Sequence, residues 1–233
     1  MRRLTIACAL LVGCGGGGSG DATDDPADAS LPAPDAATPP GAGVALDVGH
    51  DGGAYDIDAA ALAALFEGAG ATVTTITSQP ADLADDVGLL LVLSPTSGFP
   101  DPAPAQALLA RGGTVVVVTE HSGYGDHAGA TAYLADLGCT LASLGGLRSG
   151  TQALSVGTVA GVTDGVAALT LFYGAEIDLG ADGVAVATYD DGAPAIGTEQ
   201  VGAGRVVLVP DGSFFGYVLD EADNRTLLLN LRP

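Results

Sequence analysis

Residues 107–120 read Ala-Leu-Leu-Ala-Arg-Gly-Gly-Thr-Val-Val-Val-Val-Thr-Glu, and the order of residue types there decides the fold class. A helix-forming stretch stops at paired glycines, and four valines follow without a polar interruption. Val is stiff at χ1 and packs well on a pleated surface, so it favours strands. An uninterrupted apolar strand is expected where both faces are covered, as in a parallel sheet. Thr114 to Thr119 is therefore read as a central strand. Ala103 to Ala110, with prolines at its start and Gly112-Gly113 after its end, is the helix that feeds it.

The same rhythm extends outward. Val44 to Val48 reads as a short buried strand running into Gly49-His50-Asp51-Gly52-Gly53. Ile57 to Phe66 is a helix with Asp56 or Asp58 near its start and Gly68 and Gly70 at its end. Ala71 to Ile76 is a β-branched strand, and Leu89 to Leu93 is a second continuous apolar run. Ala128 to Leu137 is a third helix, followed by Cys139 to Leu141 as a strand. This alternation argues for an α/β chain with a parallel sheet. From Thr151 to Pro210 the rhythm changes to short strands between turns. Val184 to Tyr189 and Ala193 to Gln200 flank Asp190-Asp191-Gly192, a hairpin signal. Gly202-Ala203-Gly204 turns the chain into Arg205 to Val209, and Asp223 to Leu231 is a closing helix capped by Asp220 or Asp223. No internal repeat is present.

The chain has 233 residues, 48% of them hydrophobic, which is enough for one domain with a real core. Asp and Glu number 28 against 7 basic residues, all of them Arg. Such a surface repels nucleic acid, whose phosphates are held by Lys and Arg. It repels anionic headgroups as well and favours cationic partners.

The N-terminus carries its own signal. Met1-Arg2-Arg3 is a positive n-region, Leu4 to Val12 is an apolar run too short to span a bilayer, and small residues follow. Leu11-Val12-Gly13-Cys14 resembles the lipobox of bacterial lipoproteins. That resemblance implies cleavage of residues 1–13, acylation of Cys14 and attachment to a membrane on the extracytoplasmic side. A plain secretory signal with an incidental Cys is the alternative. Gly15 after Cys14, rather than Asp, favours the outer membrane by analogy with lipoprotein sorting in some bacteria. Residues 15–42, rich in Gly, Asp, Ala and Pro, bury too little apolar surface to fold and read as a linker, with the folded domain at 43–233. With Cys8 in the signal and Cys14 lipidated, Cys139 is left alone and no intrachain disulfide can form.

Four segments carry a second resemblance: ALDVGHDGGAYDI at 45–57, the Leu-rich strand ending in Ser94-Pro95, ALLARGGTVVVVTE at 107–120 and GAGRVVLVPDGSFFGYVLDEADNRTLLLNL at 202–231. In order and spacing they resemble the class I glutamine-amidotransferase-like fold. They are most similar to its poorly characterised, non-enzymatic branch of bacterial exported and transport-associated proteins. The resemblance implies a flavodoxin-like three-layer α/β/α sandwich with a mostly parallel sheet, to which the hairpin region adds an antiparallel part. The family's enzymes carry a Cys on the turn after a central strand and a His downstream. Here that turn is Thr119-Glu120-His121-Ser122-Gly123, with no Cys, and no His follows His127. The resemblance therefore implies a fold without the glutaminase machinery.

Open α/β sheets bind ligands beyond the carboxyl ends of their strands. Asp47, His50, Asp51, Glu120, His121, Ser122, Asp126, Asp211 and Ser213 fall there and form the candidate cleft. Imidazole and carboxylate together suit a divalent metal, with His50 and His121 as the leading pair, or a sugar or peptide held by hydrogen bonds. Ordinary turn chemistry is the competing explanation, because Asp and Gly are common turn residues. Ser122 lacks an oriented base, since His121 is its chain neighbour and adjacent side chains diverge. Cys139 reads as a core thiol, and Phe214, Phe215 and Tyr217 read as core packing, with a cleft wall or sheet cover as the alternative. Asn224 and Asn230 fit capping and packing of the last helix. The Gly15 to Gly18 run has no Lys-Ser/Thr after it and is not a phosphate loop. No cofactor is expected. The sequence thus points to a lipid-anchored, non-enzymatic binding domain of the cell envelope, for a protein, peptide or carbohydrate. Its rivals are a metal-assisted hydrolase using His50 and His121 and an accessory subunit of an envelope transport or gliding-type complex.

Overall fold

The computed structural model describes residues 41–49, 57–78, 82–93, 96 and 98–233. Cys14, the signal, all but the end of the linker, His50 and Asp51 lie outside them.

The Val run forms β4, Thr114–Val118, buried along its whole length. Before it stands α2, Ala103–Ala110, the residues read as a helix from sequence; Asp101 Oδ1 accepts from Ala103 N at 2.9 Å at its start. The Arg111-Gly112-Gly113 connection has a physical reason at each residue. Arg111 Nη2 donates to the carbonyls of Ala84 and Val87 at 3.2 and 3.1 Å. Gly112 takes φ +92°, in the left-handed region that ends helices. A Cβ on Gly113 would stand 2.1 Å from Leu108 Cδ1, so only Gly lets the helix pack onto its strand here. The remaining elements of this half are β1 (Gly43–Asp47), α1 (Ala59–Gly68), β2 (Val73–Ile76), β3 (Val87–Val92) and α3 (His127–Asp136). Asp58 caps α1, its Oδ1 accepting from Ala61 N at 2.9 Å.

After α3 the chain leaves the main sheet. β5 (Ala142–Leu147) pairs antiparallel with β8 (Ala175–Asp178) in a separate two-stranded sheet. Cys139 to Leu141 is therefore not a strand. Gly138 at φ +82° and a hydrogen bond from Cys139 N to Leu134 O end α3, and Cys139 and Thr140 are then held by Glu199. The place beside β4 goes instead to β11 (Gly204–Val209), which returns from the far end of the chain. β6 (Thr151–Val156), β7 (Ala168–Phe172), β9 (Val184–Thr188) and β10 (Pro194–Val201) complete the main sheet. β9 and β10 are the hairpin around Asp190-Asp191-Gly192, with Gly192 at φ +84°.

The nine strands run in the order β2-β1-β3-β4-β11-β10-β9-β6-β7. Neighbours from β2 to β11 are parallel, and neighbours from β11 to β7 are antiparallel. This corrects the expected mostly parallel, three-layer α/β/α sandwich. Among the described residues eleven strands stand against four α-helices of 7–10 residues, and the large sheet is mixed. One core lies against α1, the last helix α4 (Asn224–Asn230) and the 3₁₀ turn Gly212–Phe215. The other lies against α2, α3 and the small sheet, where helices alone were expected; a Cβ on Gly197 of β10 would lie 3.1 Å from Ile177 Cδ1 of β8. Among the described residues no helix is long and apolar enough to cross a membrane.

Candidate functional site

Strand order brings most of the candidate residues to one edge. Asp47 ends β1, Glu120 and His121 follow β4, and Asp211 and Ser213 follow β11, two strands that pair directly. Asp126 stands at the start of α3. His50 and Asp51 are outside the described residues, so the His50–His121 pair has no geometry to report.

The carboxylates at this edge accept hydrogen bonds from the backbone. Asp47, 4% exposed, takes Gly49 N on Oδ1 at 3.0 Å. Asp126 caps α3 by accepting from Gly129 N at 2.8 Å. Glu120 Oε1 accepts from Gly212 N at 2.7 Å and so ties the loop after β4 to the turn after β11. Asp211, with no exposed surface, accepts from Ser213 N on Oδ1 at 2.8 Å and from Phe172 N on Oδ2 at 2.6 Å. Each of these contacts satisfies a backbone N–H and so fixes its loop.

His121 is buried beside them. Its Nδ1 accepts from Gly123 N at 3.2 Å, and its ring meets Tyr124 edge-on at 5.0 Å between centroids. Burial holds its pKa below the ordinary value, and the accepting Nδ1 requires the neutral ring. Ser122 is exposed and donates its backbone N–H to Gly145 O at 3.0 Å. Nδ1 of the neighbouring imidazole is therefore not available to its hydroxyl as a base. Among the described residues no group of three His, Cys, Asp or Glu is placed to hold a metal ion.

Among the described residues three buried oxygens nearby on the α3 side have no hydrogen-bond partner: Thr119 Oγ1, Tyr133 OH and Ser143 Oγ. Burial raises the Tyr133 phenol strongly, with the carboxylates of Asp47 and Asp101 adding to the shift. Its ring stacks on Phe99 at 5.2 Å. Cys139 is a core thiol: its Sγ donates to Glu199 Oε2 at 3.3 Å, and burial pushes its pKa up to about 12. It has none of the electropositive surroundings that make a cysteine nucleophilic.

Sequence reasoning missed the role of the last helix segment at the β7 edge. Asp223 does not cap α4 with its side chain. Its Oδ2 accepts instead from Ala167 N and Ala168 N at 2.8 and 3.1 Å, and its own N–H donates to Ala168 O at 3.1 Å. Asn224, fully buried, accepts from Thr170 N at 3.0 Å and donates to Thr170 O at 2.9 Å and Val218 O at 2.7 Å. With Asp211 on Phe172 N, these side chains stand where a tenth strand would be. Asn230 likewise donates to Val162 O and Asp164 O. Phe214 and Phe215 are core, as read, whereas Tyr217 is 66% exposed. Tyr217 lies 4.8 Å from the Phe172 ring, which also meets Tyr173 at 4.6 Å.

A family model described as a domain of unknown function (DUF4350) matches residues 59–231. No curated protein matches the chain. Among solved structures, the mmIFT52 N-terminal domain is similar at TM-score 0.60 and 12% identity, covering 81% of this chain and 94% of that one. The exo-β-1,4-mannosidase Op5Man5 from Opitutaceae bacterium strain TAV5 is similar at TM-score 0.54 and 16% identity, over 82% of this chain. The chain spans only 36% of that enzyme's length. A glutamine amidotransferase from Thermotoga maritima is more distant, at TM-score 0.47 and 11% identity, covering 81% of this chain and 89% of that one. At such identities the likeness concerns the fold alone.

Proposed function

The chain belongs to the DUF4350 family, and from that premise we propose a tethered, non-enzymatic binding or scaffold domain of the cell envelope. Lipid on Cys14 holds it to the membrane, and the acidic linker carries the domain clear of the headgroups. The edge at the carboxyl ends of β1, β4 and β11 is presented to an envelope protein, a peptide or a carbohydrate. One observation carries the reading. Each described candidate carboxylate at that edge, Asp47, Glu120, Asp126 and Asp211, holds a backbone N–H. A hydrolase needs an acid, a base or a metal ligand aimed at a reacting atom. Here the same groups fix loops, which gives a rigid rim of the kind a binding surface requires.

The experiment is metal analysis with thermal unfolding of the full chain, wild type beside His50→Ala/His121→Ala. Metal at or below background, and the same unfolding response to added divalent ions in both proteins, is the expected result. Stoichiometric metal that disappears in the double variant would replace this reading with the metal-assisted hydrolase. The tether is tested separately by metabolic labelling with a fatty acid, which Cys14→Ala should abolish.

A further inference from the structure

A cavity of about 240 Å³ opens at the amino ends of β4 and β11, the pole opposite the candidate rim. Strand register builds its floor. Arg205 of β11 is opposed by Gln200 of β10 on one side and by Thr114 of β4 on the other. Opposed residues share a face, and faces alternate along a strand. Two positions on, Val207 and Val116 lie in the core against α1 and α4, so Thr114, Gln200 and Arg205 form a polar row at the end of that face. Asn230 and Arg232, at the end of α4, wall the cavity, and Gly112, Gly161 and Gly204 line it with backbone alone.

Charge singles this cavity out. The described residues hold five arginines, in a chain with 28 Asp and Glu. Arg148 is ion-paired with Glu176 and Asp191 at 2.8 and 2.7 Å, and Arg225 with Asp220. Arg111 donates to the carbonyls of Ala84 and Val87. The other two line the cavity, and among the described residues no ion pair joins either to a carboxylate, that of Pro233 included. Arg232 is anchored through Nη1 to Ala69 O at 3.0 Å and through Nε to Leu229 O at 3.4 Å, which leaves Nη2. The Arg205 guanidinium makes no hydrogen bond among the described residues. Thr114, 6% exposed, adds a hydroxyl with no partner among them. No Asp or Glu lines the cavity; Asp85 and Asp86, just before β3, stand at the same pole but outside it.

Two guanidinium groups lining one cavity without a counter-charge repel each other, and an oxyanion relieves that repulsion. The arginine fork matches the oxygens of carboxylate and phosphate. Two positive charges are balanced by a dianion. A phosphate monoester carries nearly two negative charges at neutral pH, whereas a carboxylate or a phosphodiester carries one. The volume, several times that of a water molecule, leaves room for a short organic group beside the phosphate. We propose that this cavity binds the phosphate of a phosphate monoester, with Arg205 holding two of its oxygens, Arg232 Nη2 a third, and the Thr114 hydroxyl donating beside them. A soluble ester and a lipid headgroup offer the same phosphate chemistry.

Isothermal titration calorimetry of the full chain carrying Cys14→Ser, with methyl phosphate as the probe, tests the proposal. A dissociation constant of about 1 mM or tighter is expected at low salt, and the singly charged dimethyl phosphate should bind at least tenfold more weakly. Arg205→Gln should weaken methyl phosphate binding at least tenfold. The arginine it replaces makes no side-chain hydrogen bond within the fold, and far-ultraviolet circular dichroism checks that folding is intact. Arg205→Lys keeps the charge, loses the fork and should fall between the two. Arg225→Gln changes the net charge equally outside the cavity and should bind as wild type does. Co-sedimentation with phosphatidylcholine vesicles containing phosphatidic acid, a lipid phosphomonoester, separates the sources. Capture that Arg205→Gln abolishes places a headgroup in the cavity; no capture, or capture that survives the substitution, assigns the site to a soluble ester. No detectable binding of methyl phosphate, equal affinity for dimethyl phosphate, or an Arg205→Gln variant that binds as wild type does overturns the proposal.

Discussion

The two ends of the nine-stranded sheet treat the same chemistry in opposite ways. At β7 each outward N–H in the strand finds a side-chain oxygen: Ala168 on Asp223, Thr170 on Asn224 and Phe172 on Asp211. The carbonyl of Ala168 accepts from Asp223 N, and that of Thr170 from Asn224 Nδ2. At β2 the outward groups of Val73 and Thr75 meet no such side chain among the described residues. An unpaired edge invites pairing with other chains, and sealing one end removes that hazard there. The contrast teaches that side-chain oxygens close the β7 edge, whereas β2 carries no such closure among the described residues. It also explains why Asp211, at a position where an α/β enzyme would place a reactive carboxylate, is wholly buried. Asp211 belongs to the seal.

The largest expected effect is at that residue. Asp211→Ala removes the two hydrogen bonds that this buried side chain accepts from Phe172 N and Ser213 N. Each such loss costs on the order of 1.5–3 kcal/mol, so destabilisation of about 3 kcal/mol or more is expected from urea unfolding. A loss below about 1 kcal/mol, the size of a single neutral hydrogen bond, would break the comparison, because Asp211 would then not be sealing anything. Asn224→Ala comes next. It orphans Thr170 N and Thr170 O and leaves Val218 O with Glu221 N alone, for a cost of about 2 kcal/mol. The sharper readout is hydrogen exchange. The Thr170 amide should lose protection in Asn224→Ala while the amide of Val116, in the middle of β4, keeps it. The variant should also acquire a concentration-dependent association that the wild type's β7 edge does not show. Equal protection in both proteins would mean the edge is covered by something other than these side chains.

How much of this was legible follows from the range of each interaction. Local punctuation was readable: the prolines and glycines around α2, the Val run of β4 and the Asp-Asp-Gly turn between β9 and β10 define their elements through residues a few positions apart. The mixed sheet was not. β10 is buried almost throughout, so its pattern does not reveal that both of its neighbours are antiparallel. β5 carries two adjacent glycines and an irregular burial pattern, and the strand expected at Cys139 to Leu141 begins three residues before it. Of the candidate residues, Glu120, His121, Ser122, Asp211 and Ser213 follow strands, whereas Asp47 ends β1, Asp126 caps α3, and His50 and Asp51 lie outside the described residues. Whether a carboxylate there faces a ligand or a backbone N–H depends on contacts such as Glu120 to Gly212 and Asp211 to Phe172, 92 and 39 residues apart. Only the local halves could have been found: Asp211 to Ser213 and Asp126 to Gly129 have the spacing of an Asx turn and a helix cap.

At the β2 end a substitution at an exposed position should leave folding almost untouched. Thr75→Lys sits on an exposed, half-solvated strand, and its urea midpoint, measured at a concentration where the chain is monomeric, should shift by no more than about 0.5 kcal/mol equivalent. A cost comparable to that of Asn224→Ala would mean that β2 is held from outside in the monomer, and the two edges would then differ less than their hydrogen bonds suggest.

The smallest effect lies between the two ends, at His121, whose loop is bound to the sealed half through Glu120 and Gly212. Burial depresses its pKa from 6.5, and its Nδ1 must stay unprotonated to accept from Gly123 N. In the unfolded chain the imidazole takes up its proton first as pH falls. The unfolded state therefore binds more protons below pH 6.5, and stability drops with pH from there until the folded-state value is reached. Above pH 6.5 the contribution is complete. His121→Gln keeps an acceptor near Gly123 and has no proton to gain. The difference in unfolding free energy between wild type and this variant should accordingly be constant above pH 6.5 and move in the variant's favour below it. Parallel curves for the two proteins across that range would show that His121 is solvated as it would be in the unfolded chain, and that burial does not hold it neutral at the strand ends.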